Sequence, residues 1–122
     1  MKGGIKMINI EKAKLAKIIL DGDKEHEDTL SLCLSFMVQL DNVKVLTTKR
    51  KKIKSNDISI LNALVKTFDI KNFFDAPEKI GEECRIAIKD CDEILGFSHK
   101  NYDDWFSFEK GKVSKEQIMT EE

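Results

Sequence analysis

Asp28-Thr29-Leu30-Ser31-Leu32-Cys33-Leu34-Ser35-Phe36-Met37-Val38-Gln39-Leu40 is the stretch on which the fold turns. Leu30, Cys33, Leu34, Met37 and Leu40 recur at steps of 3, 1, 3 and 3. That spacing lines one face at a period of 3.6 and predicts a helix over 28–40. Asp28 or Thr29 supplies the N-cap, and Asp41-Asn42 ends the segment. Leu32, Phe36 and Val38 widen the apolar coverage, so this helix is expected to be central.

C-terminal to it, Val43-Lys44-Val45-Leu46-Thr47-Thr48 is rich in β-branched residues and reads as a strand. A basic run, Lys49–Lys54, leads to the N-cap cluster Ser55-Asn56-Asp57. Ile58, Leu61, Leu64, Val65 and Phe68 then follow at helical spacing over 57–68. A short strand is expected at 70–74. Pro77 and the acids beside it open a further helix. Its face would be Ile80, Cys84, Ala87, Ile88, Cys91 and Leu95, with Gly96 as its C-terminal cap. On the N-terminal side, Ile8–Leu20 fits a helix through Glu11–Lys17 or a buried strand through Lys17–Leu20; its helix-favouring residues lead us to a helix. Trp105–Val113 around Lys110-Gly111 reads as a small hairpin.

These elements give an α+β domain over residues 7–113, with three to four helices packed on a small sheet of two to four strands. Residues 114–122 are expected as a polar, frayed tail. Met1–Lys6 reads as a non-native extension: Lys2-Gly3-Gly4 matches a translated ribosome-binding sequence at a suitable distance before Met7. Starting at Met7 would remove Lys2 and Lys6 and take the net charge from −1 to −3.

Composition limits the function classes. The 122 residues fit one domain, and 41% apolar with 35% charged residues suits a globular chain. A near-neutral balance, with 19 lysines and 2 arginines among the cations, offers no overall field for a polyanion or a membrane. Any such partner would need a local patch. Cys33, Cys84 and Cys91 are odd in number and sit among apolar neighbours, which points to free thiols in a reducing compartment. With neither a signal peptide nor a spanning segment legible in the sequence, the expected location is cytoplasmic.

Four features bear on function. Val43–Lys54 carries Lys44, Lys49, Arg50, Lys51, Lys52 and Lys54 and no acid. Phosphate contacts use such charges ahead of a helix N-terminus, and a solvated edge strand uses lysines to discourage pairing. No aromatic residue interleaves with them for base stacking. Asp21, Asp23, Glu25, His26, Glu27 and Asp28 form an acidic loop. Read as a Ca²⁺ loop, it fails at His26, where glycine is required, and at Leu32, where a bidentate acid is required. The cysteines and histidines match no zinc spacing, and no glycine-rich phosphate loop is present, so neither metal nor cofactor is expected. Finally, Phe97, Tyr102, Trp105, Phe106 and Phe108 gather five of the nine aromatics into twelve residues. Aromatics concentrated in this way dock on the chain's own core or form an interface.

Val43–Phe68 loosely resembles the strand, basic loop and second helix of Alba-type chromatin proteins, with Gln39 and Leu40 closing the preceding helix. Arg50 stands where that family's loop has a glycine, and the helix expected at 77–95 stands where the family has a β-hairpin. The same loop with Asp57-Ile58 is similar to the approach to the last helix of a histone fold. That fold has a central helix near twice the length of 28–40. These departures leave the chain outside both families.

Three function classes follow. The first is a non-catalytic subunit or partner-binding protein, with homo-oligomerisation among its forms, resting on the aromatic segment and the lack of a catalytic motif. The second is a nucleic-acid-binding protein using 44–54. The third is a small enzyme drawing on His26, His99 and the loop acids.

Overall fold

The computed structural model describes residues 7–22, 25, 28–39, 42–54, 59–70, 79–90 and 92–120. They form eight strands and two helices: β1 (Ile8–Gly22), β2 (Thr29–Gln39), β3 (Val43–Thr47), β4 (Lys51–Lys54), α1 (Ser59–Phe68), β5 (Glu83–Lys89), β6 (Glu93–Ser98), β7 (Trp105–Ser107), β8 (Gly111–Val113) and α2 (Lys115–Met119). The strands make one antiparallel sheet in the order β3-β2-β1-β5-β6-β7-β8, with β4 also on β2. The expected α+β arrangement of several helices on a small sheet is replaced by a sheet that contains most of the described chain. No helix among the described residues is long and apolar enough to cross a membrane.

The decisive correction is at 28–40. Leu32, Leu34, Phe36 and Val38 are buried at every second position, which is the period of a strand with one face on the core. Cys33 and Met37 point to the other face, so the helical set that includes them is a coincidence of spacing. The expected helix over 8–20 is likewise strand β1, and one residue disguises its alternation. Leu15 pairs with Phe36 and Lys17 with Ser35, which leaves Ala16 as a bulge. Ala13 and Leu15 belong to the core before the bulge, and Ile18 and Leu20 pack against it afterwards. A bulge adds one residue and so reverses the parity of inward positions.

The expected helix over 77–95 becomes β5 and β6. Cys84, Ile86 and Ile88 face the core at period 2. Asp90, at φ 54°, turns the chain back between the two strands. Gly96 is then no helix cap. It lies inside β6, where a Cβ would sit 2.1 Å from the Phe106 carbonyl oxygen and 2.6 Å from Ile118 Cδ1. Only a residue without a side chain lets β7 and α2 cross here.

The strand at 43–48, the helix at 57–68 and the hairpin at 105–113 do appear, as β3, α1 and β7–β8. Ser114, expected in the frayed tail, instead caps α2. Its hydroxyl accepts from the Gln117 N–H, the Gln117 side chain accepts from the Ser114 N–H, and Ile118 is buried. The 55–57 cap cluster, residues 71–74 of the expected strand, the helix start at 75–78, Cys91, and Asp23, His26 and Glu27 of the acidic loop lie outside the described residues.

The sheet packs its main core against α1. Ile60, Leu64 and Phe68 recur at i, i+4 and i+8 and are buried from that helix, each worth about 1.5–3 kcal/mol of transfer free energy. Phe97 is the centre of the core, with ring centroids 6.4 Å from Phe36 and Phe68, 5.8 Å from Phe106 and 5.6 Å from Phe108. A second, smaller core lies on the opposite face, where Trp105 and Ile118 close over Ala87 with Ile8, Ile10, Leu95 and Val113 around them. Because the segment before β3 is strand β2, the resemblances to Alba-type and histone folds do not extend to this architecture.

Candidate functional site: a cleft beside the basic edge

β3 and β4 are two pieces of one edge, both paired to β2. Ser35 lies opposite Thr47 and Leu32 opposite Lys51, so the edge gains one residue between them. The Thr48 N–H donates to the Leu34 carbonyl at 2.8 Å, and the Thr48 hydroxyl accepts from the Leu34 N–H at 3.0 Å. Amides alternate in direction along a strand. Those of Val43, Val45 and Thr47 therefore face away from β2, toward a side on which no described strand pairs. The same residues turn their side chains out: Val43 is 60% exposed and Val45 57%, and Met37, opposite Val45, is 43% exposed.

The six cations expected to act together are separated by this geometry. Lys44 is exposed on β3. Lys49 and Arg50 are exposed at the irregularity. Lys51 is half-buried, and its amine donates to the Phe108 carbonyl, tying β4 to the end of β7. Lys52 and Lys54 flank the buried Ile53; Lys52 is engaged in a contact of its own. Thr29 pairs with Lys54, which brings the last acid of the acidic loop, Asp28, to the end of β4. Lys49 and Arg50 remain as an adjacent pair without an ion-pair partner among the described residues.

That pair lines a cleft of about 490 Å³. Thr47–Lys51 form one lip and Asp92–Glu93 another, with Ser107–Lys110 at the β7–β8 turn. Ile94, Leu95, Phe108 and Ile118 supply apolar surface. The acids Asp92 and Glu93 gave no signal in the sequence, since only the topology carries them to the basic edge. Exposure of Val43 and Val45 was equally hidden, because a strand does not announce whether its outer side is paired.

The aromatic segment lies mostly inside. Phe97, Trp105 and Phe106 are buried and Phe108 is partly so. Tyr102 alone is exposed, stacked on His99 at 4.0 Å. The loop between β6 and β7 is held by Arg85, whose Nε donates to the His99 carbonyl and whose Nη2 lies 2.9 Å from Asp103. The Trp105 indole N–H donates to Asp103 at 3.1 Å. That bond, and then Arg85, hold the Asp103 carboxyl below its ordinary value.

Among the described residues, neither thiols nor imidazoles assemble a reactive centre. The Cys33 thiol donates to the Thr48 carbonyl. Burial pushes the Cys84 thiol up to about 12, far from the thiolate a nucleophile needs. His99 Nδ1 accepts from the Asn101 N–H. No group of three His, Cys, Asp or Glu side chains among the described residues is placed to hold a metal ion. No protein-family model, no curated protein and no solved structure matches this chain.

Proposed function

We propose that this protein is a non-catalytic binding module whose partner polypeptide adds as a strand to the outer edge of β3. The observation that carries this reading is the edge itself. Val43, Val45 and Thr47 turn their amides away from β2, and the two valines leave most of their surface in water. Main-chain bonds along such an edge supply affinity, and alternate side chains supply selectivity. Protective lysines are scarce on this piece of edge: Lys44 is the only charge in β3, and the others gather beyond Thr47. The dispersal of the six cations makes a continuous nucleic-acid track the weaker use of the same segment.

The test exploits proline, which fits an edge strand where its missing N–H would face solvent. Heptapeptides selected by phage display on the full chain should protect the amides of Val43, Val45 and Thr47 from exchange. They should lose binding to Val45→Pro while the amide spectrum of the other strands stays unchanged. Peptides that bind Val45→Pro as well as the wild type would overturn the reading. So would a selection that enriches no peptide, or an oligonucleotide that outcompetes every peptide at this edge.

A further inference from the structure

We infer that the cleft beside the β3–β4 edge binds a small zwitterion of the amino-acid type, a free amino acid or short peptide with an apolar side chain. This site adjoins the strand-adding edge and shares Thr47 with it, but it rests on different side chains and stands or falls without it.

The inference begins with two segments of opposite charge that line one cleft without forming an ion pair with each other. Lys49 and Arg50 stand on one, Asp92 and Glu93 on the other. Each lip is fixed by its own backbone. The basic lip is anchored by Thr48 on Leu34 and by Lys51 on the Phe108 carbonyl. The acidic lip is anchored by the pairing of Glu93 with Lys89 and Ile94 with Ile88, and by the Asp92 N–H on the Lys89 carbonyl. No ion pair joins Lys49 or Arg50 to an acid of the facing lip. The opposed charges are thus presented to the cleft rather than spent on each other.

A ligand of one sign would meet attraction from one lip and repulsion from the other. A dipolar ligand meets attraction from both, and charge-assisted bonds are the stronger kind. Arg50 and Lys49 suit a carboxylate; Asp92 and Glu93 suit an ammonium. Leu95 and Phe108, both partly exposed in the same cleft, offer an apolar surface to a side chain. The volume of about 490 Å³ falls within the range of small-molecule sites. Glu109 and Lys110, which also line the cleft, are of opposite sign and do not change its balance.

The experiment is an NMR titration of the full chain with leucyl-leucine, N-acetyl-leucyl-leucine and leucyl-leucine amide. The zwitterion should shift residues 47–51 and 92–95 together and saturably, and each blocked dipeptide should bind at least about tenfold more weakly. Arg50→Gln should weaken the zwitterion and the acetylated dipeptide. Asp92→Asn should weaken the zwitterion and spare the acetylated one. Both residues are exposed, and unchanged amide positions elsewhere would show that each variant folds. The inference is overturned if nothing saturates up to about 10 mM, or if the three dipeptides bind alike. A zwitterionic lipid headgroup carries a similar charge pair, so the protein is also floated with phosphatidylethanolamine vesicles. Protein left at the bottom supports a free ligand, and co-flotation overturns it.

Discussion

The two ends of this sheet are finished in opposite ways. At the β7–β8 end, Trp105 and Phe106 are buried and α2 is capped by Ser114 and pinned by Ile118. At the β3 end, Val43 and Val45 stand in water on an edge with which no described strand pairs. Both ends are apolar, so hydrophobicity does not separate them. The difference lies in what the chain has left to place over each. After β7 it continues into β8 and a helix that fold back; after β3 it runs on along the same edge as β4. An apolar edge that the described residues leave unpaired is where a second molecule gains most by binding.

The comparison breaks most readily at the closed end. Trp105→Ala should cost about 3–5 kcal/mol in urea unfolding, because it empties the smaller core and frees Asp103 and Arg85 from the loop. Gly96→Ala should cost about 3 kcal/mol, since the added methyl meets backbone that cannot move without parting β6 from β7. Lys51→Met tests the tie between the ends. It should cost about 1–2 kcal/mol by leaving the Phe108 carbonyl without its donor, and should speed hydrogen exchange around Ser107–Lys110. At the open end, Val45→Pro should change stability by less than about 1 kcal/mol; a loss as large as that of Gly96→Ala would mean that this edge is already paired.

The smallest effect is expected from Asp103. Its carboxyl is held below the ordinary value in the folded chain, so its contribution is present above the unfolded value of about 3.9 and fades as pH falls through the lower folded one. Asp103→Asn should flatten the acid limb of a stability–pH curve in that window. An unchanged limb would remove Asp103 as a lock on the loop.

Particular residues show how much of this was legible. Helix α1, strand β3 and the β7–β8 hairpin follow from local pattern, because each carries a single clear period or a turn signal. β2 does not, because Leu30 to Val38 satisfies two periods at once and only the sheet decides between them. β5 and β6 were fused by apolar residues that kept helical spacing across Asp90, a turn made by one aspartate at positive φ without glycine or proline. The candidate cleft was half visible. Its cations lie together in sequence, while its acids come from a strand more than forty residues away. Linear pattern reports what a segment prefers; which side of a strand stays open, and which loop it will face, are properties of the assembled sheet.

Ala16 adds a last consequence. As the extra residue in β1, it works as a half-period phase shift in the strand's two-sided wave. Deleting it alone would leave Leu15 opposite Phe36, Lys17 opposite Ser35 and Ile18 opposite Leu34 in unbroken register, with Ile18 and Leu20 still on the core side. Deleting Leu15 or Ile18 instead would remove a core residue and force the rest of the strand to re-pair. Residue 16 is therefore the position in β1 where a diverged copy of this chain can lose a residue without an answering change on the neighbouring strand.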